Sequence, residues 1–320
     1  CDSLRSRHVE TMVALLPALL TGSYYFGGPA FITLIICAAS AVVAEAVTYR
    51  ITGWKNQLGD LHAVLMGLLL GAMMPPGAPW WLAVIGGALC VVLGKMVFGG
   101  LGKYPMNPAI IAWAALSISW PEHMNMFFDP QPMFGEVDEW IQAMTPLMAA
   151  KSDISVYMGG YEWANLWWGK VPGAIGAGGT YALLAGGIYL VVRRIVPWQI
   201  PAGVIAAALG MGLFAAYTAP AIAELGFESF AEYWGIVVFH FTTGGLVLAA
   251  FFLAPEPVSS PVTPWGMFLY GVGIGLMTII VRFWGDHVDG VYYGVLLMSA
   301  ATPLFDRIKQ KVVGKVMYSA

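Results

Sequence analysis

Few side chains in this sequence are of a type that does chemistry, and their spacing narrows what that chemistry would be. Cys37 and Cys90 lie inside apolar runs, and no CxxC pair or Cys/His cluster accompanies them. An Fe–S cluster, a haem thiolate, a structural zinc or a disulfide staple is therefore not expected, and no metal ligand is assigned. His62 and His240 stand far apart, and two separated histidines are too few for a metal site, so a hydrogen-bonded structural role is favoured. His240 could also line an ion path. Gly99-Gly-Leu-Gly102 with Lys103 has the look of a phosphate-cradling turn, but the Lys-Ser/Thr of a P-loop does not follow. A sharp connection between helices is the stronger reading of that pattern. Glu10, Glu45, Asp60, Lys95 and Asp289 fall near the ends of apolar runs and none at a centre, which argues against a carboxylate proton relay. Thr145, before Pro146 and Leu147, reads by local pattern as a turn or helix N-cap residue. No catalytic acid, base or nucleophile stands out.

The elements that must position these residues are membrane helices. Of 320 residues only 15 are basic and 18 acidic, while 59% are apolar, against roughly 45–50% in soluble domains. That balance excludes a soluble α/β enzyme and a disordered chain, and a net charge of −3 without a basic face excludes a nucleic-acid partner. With about 20 mostly apolar residues needed per crossing, candidate spans lie near 10–27, 29–49, 59–75, 79–98, 107–121, 173–192, 199–217, 234–254, 264–283 and 289–305. Gly and Pro break them at Gly27–Pro29, Pro75–Gly77, Gly99–Gly102, Pro197 and Pro255–Pro257. The opening at Cys1, without Met, reads as an incomplete N-terminus, and no cleavable signal peptide is expected after Arg5 and Arg7.

Ten spans put both termini on one side. With the N-terminus cytoplasmic, 12 of the 15 basic residues are cytoplasmic and only Lys151, Lys170 and Arg282 lie outside. The halves also resemble each other. His62, Gly67 and Ala72 match His240, Gly245 and Ala250 in spacing, and Asn107 with Ser117 matches Asp289 with Ser299. Five spans per half force the second half to be inverted, a transporter-like architecture. The expected fold is thus all-α and polytopic: a membrane repeat over 1–125, an outer loop domain over 126–172 and a second repeat over 173–320. The connection 122–172 is the one long loop; Trp163, Trp167 and Trp168 near its end suit an interfacial belt.

Several stretches carry a family resemblance. They are Leu15-Leu-Pro-Ala-Leu-Leu-Thr-Gly22, Pro75-Pro-Gly-Ala-Pro-Trp-Trp81, Gly99-Gly-Leu-Gly-Lys-Tyr-Pro-Met-Asn-Pro-Ala109, Ala249-Ala-Phe-Phe-Leu-Ala-Pro-Glu-Pro-Val-Ser-Ser-Pro261 and Asp289-Gly290. Through them the chain resembles the NqrB/RnfD family of membrane flavoproteins. Its length and short N-terminal part resemble the RnfD branch, from Rnf ion-translocating complexes, more than the NqrB branch. The resemblance implies FMN joined through its phosphate to a threonine in an outer loop, at a motif reading roughly Asp-Gly-x-Ser/Thr-x-Ala-Thr before Pro-Leu. Thr145 with Pro146 and Leu147 matches the end of that motif. The front departs, with Glu139, Trp140, Gln142 and Met144 where Asp, Gly, Ser/Thr and Ala are usual. Met144 and Leu147 would then be FMN surroundings.

The resemblance further implies a second, non-covalent flavin (riboflavin) near the cytoplasmic side, for which Lys103, Asn107 and Glu256 offer polar lining. Implied partners are RnfA, RnfB, RnfC, RnfE and above all the flavoprotein RnfG, together with a flavin transferase and membrane lipid. The implied function is electron relay in a bacterial inner-membrane complex that couples ferredoxin:NAD redox chemistry to Na⁺ or H⁺ movement. Two alternatives stay open: an NqrB-type subunit of a Na⁺-translocating NADH:quinone reductase, and a passive channel for a small polar solute, since urea-transporter-like folds share the inverted repeat.

Overall fold

The computed structural model describes residues 4–54, 57–131, 141–219, 222, 227 and 229–307. Among them the structure is all-helical, with one isolated bridge, Phe128 to Gln142, in place of any strand. The front of the Thr145 motif, at Glu139 and Trp140, lies outside the described residues, as do Lys55, Glu224, Glu228 and the lysines after Arg307.

The first two apolar runs are joined as α1, Leu4–Thr52, across a kink at Gly27, whose φ of 63° and ψ of −150° no helix accommodates. A straight helix of 49 residues would be about 74 Å long at 1.5 Å per residue. That is more than twice the roughly 30 Å hydrocarbon core of a bilayer. Gly27 is therefore where the chain must turn, as the Gly27–Pro29 break suggested. There follow α2 (His62–Met73), α3 (Trp80–Val91, extended by a π-helical turn at Val92–Met96) and α4 (Pro108–Ser119). The loop carries α5 (Pro146–Ser152) and α6 (Trp163–Trp168). Next come α7 (Thr180–Val192), α8 (Gln199–Thr218), α9 (Phe230–Thr242), α10 (Leu246–Leu248, running into a π-helical turn at Ala249–Leu253), α11 (Pro264–Trp284) and α12 (Val291–Ala300).

Among the described residues three helices, α1, α8 and α11, are long and apolar enough to cross a membrane, and α9 with α10 makes a fourth if the pair, bent by 61°, is one span. The other apolar runs are helical over shorter lengths than their sequence suggests, and the reason is local chemistry. Asn107 caps α4, its Oδ1 accepting from the Ala109 amide at 2.9 Å with Pro108 in the first turn. The run near 173–192 becomes helical only at Thr180, because Gly173 to Gly179 forms a turn against the end of α2. There the amides of Ile175 and Gly176 donate to the Met74 and Ala72 carbonyls, at 3.1 and 2.8 Å, satisfying groups that the end of α2 leaves free.

Small residues let the helices meet backbone to backbone. A Cβ added to Gly271 in α11 would lie 2.4 Å from the Ile200 carbonyl of α8, and one on Gly67 in α2 would lie 2.7 Å from the Cys37 carbonyl of α1. Cys37 and Cys90 are buried and free. Large apolar side chains such as Phe31, Ile35, Ile118, Ile188 and Phe214 remain exposed on the outside of this bundle, as expected of a lipid-facing surface.

Candidate functional site

Two backbone features bring Thr145 to the molecule. The Phe128–Gln142 bridge pins the loop, with the Asp129 amide donating to the Ile141 carbonyl and the Ala143 amide to the Phe127 carbonyl, at 3.1 and 3.0 Å. Thr145 then caps α5, its hydroxyl accepting from the Met148 amide at 3.3 Å, with Pro146 in the first turn. The N-cap role read from the Thr-Pro pattern is thus what the backbone does.

Thr145 stands on the wall of a cavity of about 260 Å3, just under the range of about 300–1,000 Å3 usual for ligand pockets. Both halves of the chain line it. Met73, Trp113 and Ser117 come from α2 and α4; Thr243 to Gly245 and Asp286 to Asp289 come from the breaks before α10 and α12, and Tyr292 and Tyr293 from α12 itself. The aromatic rings of Trp113 and Tyr292 meet with centroids 4.6 Å apart. Within this largely apolar chamber the Tyr292 and Ser117 hydroxyls are buried without a partner. Unsatisfied buried polar groups cost about 1–3 kcal/mol each, so these two hydroxyls are the chamber's exceptions to the rule that buried polar groups are paired.

The floor of the chamber is a charged knot. Arg282, whose side chain is fully buried, donates to Asp289 at 2.9 Å and to the carbonyls of His240 and Thr243. Asp289 in turn accepts from the Gly245 amide at 2.6 Å. The pair fixes the broken end of α9 against α11 and keeps Gly244 in its left-handed conformation, φ 68°. Leu147 fills the space over Gly244, where a Cβ would come within 2.7 Å of it. Behind the knot the Tyr157 hydroxyl bonds His240 Nε2 at 2.9 Å. Burial pushes the Tyr157 phenol up, partly offset by the Arg282 charge, so it stays protonated.

The sequence-derived residues divide. Thr145 and Leu147 line the chamber, whereas Met144 is 60% exposed and does not. On the other group, Asn107 and Glu256 are buried near one another and Lys103 is exposed. Asn107 Nδ2 donates to the Leu253 carbonyl at 3.0 Å. Glu256 accepts from the Tyr104 hydroxyl at 2.8 Å and from the Val258 and Ser259 amides, stitching the Gly99–Asn107 turn to the turn after α10. Gly99, Gly100 and Gly102 all have positive φ, and the Lys103 side chain folds back over Gly99, which is a sharp connection between helices. The two histidines share a partner type but not a setting. His62 opens α2 and bonds Tyr104 at 2.9 Å; His240 sits in the last turn of α9. Sequence reasoning missed Arg282, Tyr292, Trp113 and Lys151 as contributors to the chamber. The signal for Arg282 and Asp289 was present as two opposite charges seven residues apart across the Gly285 break.

Apolar helices long enough to cross a bilayer, broken helices and a largely apolar cavity at the breaks define a multi-pass helical membrane protein. The model of the NQR2, RnfD, RnfE family matches residues 2–314, and the chain belongs to that family. It is 35% identical over 308 residues to the D subunit of the Na(+)-translocating ferredoxin:NAD(+) oxidoreductase complex of Acetobacterium woodii, covering 95% of this chain and 89% of that one. It is 32% identical to the D subunit of the ion-translocating oxidoreductase complex of Halorhodospira halophila, over 97% of this chain and 92% of that one. The corresponding D subunit from Stutzerimonas stutzeri is 33% identical, over 94% and 89%.

Proposed function

We propose that this chain is the D subunit of an Rnf-type ion-translocating oxidoreductase complex and relays electrons through FMN esterified to Thr145. The observation that carries the reading is the position of Thr145: a loop hydroxyl at the wall of an aromatic chamber that holds two unpartnered hydroxyls. Trp113, Ser117, Leu147 and Tyr292 would be the residues that hold the flavin. When bound, FMN supplies a carrier that accepts two electrons and releases them singly. The chain's own residues orient it and exclude water. The Arg282–Asp289 knot holds the chamber floor rigid. A hydroxyl on a loop is within reach of a transferase outside the membrane, whereas the Thr180 and Thr242 hydroxyls are spent on backbone carbonyls inside the bundle.

The reading includes ten crossings as two inverted five-helix repeats, 1–125 and 173–320, in a bacterial inner membrane. Both termini would be cytoplasmic and the loop over 126–172 outside. What supports it is a likeness in packing: α1 lies against α3 as α8 lies against α11, and α4 meets α12 between them. Asn107 and Asp289 each accept from the amide two residues on, at the start of those last two helices. The partners would be RnfG, which exchanges electrons with this flavin, and RnfA, RnfB, RnfC and RnfE. The complex would couple ferredoxin:NAD chemistry to Na⁺ or H⁺ movement. A second, non-covalent riboflavin near Lys103, Asn107 and Glu256 would have to displace the bonds that Asn107 and Glu256 make to Leu253 and Tyr104.

The test is a denaturing gel of the complex, produced with its partner subunits and flavin transferase, viewed under ultraviolet light. A fluorescent band of this chain that persists in Thr145→Ser and disappears in Thr145→Ala supports the reading. A dark wild-type band refutes it.

A further inference from the structure

Lys151 stands at the far end of α5 from Thr145, about 9 Å away at 1.5 Å per residue. Its ammonium makes its hydrogen bonds to backbone carbonyls, with the Asp286 carboxylate near enough to favour the charged form. Nζ donates to the carbonyls of Gly285 and His287, each at 2.5 Å, and lies 3.4 Å from the Val281 carbonyl. These are carbonyls at the end of α11 and just beyond it, where a helix leaves its last C=O groups unpaired and carries a partial negative charge. A cation held by several such groups makes charge-assisted hydrogen bonds, the strong kind.

What Lys151 grips matters more than the strength of the grip. Residues 286–289 form one wall of the chamber, and Asp289 anchors Arg282 and the Gly245 amide. The other end of the same short helix carries Thr145, and its first turn carries Leu147 over Gly244. A helix of only seven residues has little hold of its own. Its place over the chamber rests on Leu147 and Ala150, packed with Leu166, Val171 and Phe239, and on Lys151 at its far end.

We infer that Lys151 is a positioning residue that clamps the Thr145-bearing helix α5 to the 285–289 wall, and so sets where a group carried on Thr145 enters the chamber. The flavin part of this inference rests on the reading of Thr145 given above; the clamp itself does not.

The experiment compares Lys151→Met and Lys151→Arg with wild type in the assembled complex, using two readouts. Amide hydrogen exchange over 146–152 and 285–289 tests the clamp directly. In Lys151→Met exchange should rise in both segments together by about threefold or more, since a charged donor at a solvent-exposed position is worth a factor of up to about five. Lys151→Arg, which keeps the charge and the donors, should stay near wild type. The second readout is the visible circular dichroism of the covalent flavin, an index of how firmly its ring is held. Lys151→Met should keep the fluorescent band but lose about half or more of the dichroic signal, and Lys151→Arg should restore it. Unchanged exchange in Lys151→Met, or a rise confined to one segment, would overturn the clamp. Changed exchange with an unchanged flavin signal would overturn its positioning role. Wild-type protein without covalent flavin would instead sink the reading of Thr145, while the exchange data would still decide the clamp.

Discussion

Lys95 and Glu45 provide the sharpest stability prediction. Lys95 Nζ lies 2.6 Å from Glu45 Oε1 and 3.9 Å from Asp60 Oδ2, and the two paired side chains are 1% and 0% exposed. The Tyr49 hydroxyl donates to the same Glu45 oxygen at 2.9 Å, and Glu45 Oε2 has no partner. Removing the ammonium alone, in Lys95→Met, leaves a buried carboxylate with a single donor. Breaking one side of such a pair costs about 3–5 kcal/mol, whereas replacing both sides by apolar groups of similar volume is often neutral. Lys95→Met should therefore lose about 3–5 kcal/mol, and the double variant Glu45→Leu with Lys95→Met should recover most of it. The assay is reversible unfolding in mixed micelles, titrated with denaturing detergent and followed by tryptophan fluorescence. A Lys95→Met variant within about 1 kcal/mol of wild type, or a double variant as unstable as the sum of the singles, would refute the account of a dry, mutually dependent pair.

Three further outcomes follow from the packing. Gly271→Ala should lower thermal stability, because its Cβ would sit 2.4 Å from the Ile200 carbonyl and push α8 from α11; Gly210→Ala, with open space at that point, should be neutral or gain up to about 1 kcal/mol of helix propensity. A melting comparison of the two checks this. Arg282→Met should destabilise by about 3–5 kcal/mol, since it strands Asp289 and two carbonyls; recovery in Arg282→Met with Asp289→Asn, read by the same unfolding titration, would show that the knot is a unit. Cys37 and Cys90, buried and unpaired, should react with maleimide only after denaturation, scored by mass shift.

Much of this was legible in the residue order. Gly27 marked the turn in α1 because its backbone conformation is open to few residues but glycine. Asn107-Pro108 and Thr145-Pro146 marked helix starts because a short polar cap followed by proline satisfies the first turn. The lengths of the helices were less legible: an apolar run says that a segment avoids water, not where capping will stop the helix, so 173–192 became a helix from Thr180 only. Partners were least legible. Glu45 and Lys95 are 50 residues apart, and Tyr104 and Glu256 are 152 apart. A reading by spans places Glu45 and Lys95 near helix ends; packing of α3 on α1 buries them instead. Lys151 looks like a solvated loop charge until the carbonyls of α11 are brought to it.

The most direct test of the central claim is the mass of the proteolytic peptide containing Thr145, taken from the complex made with its flavin transferase. The account predicts an added FMN less one water, with fragmentation locating it on Thr145. An unmodified peptide from a complex that transfers electrons normally, or the same adduct on another residue, would contradict it.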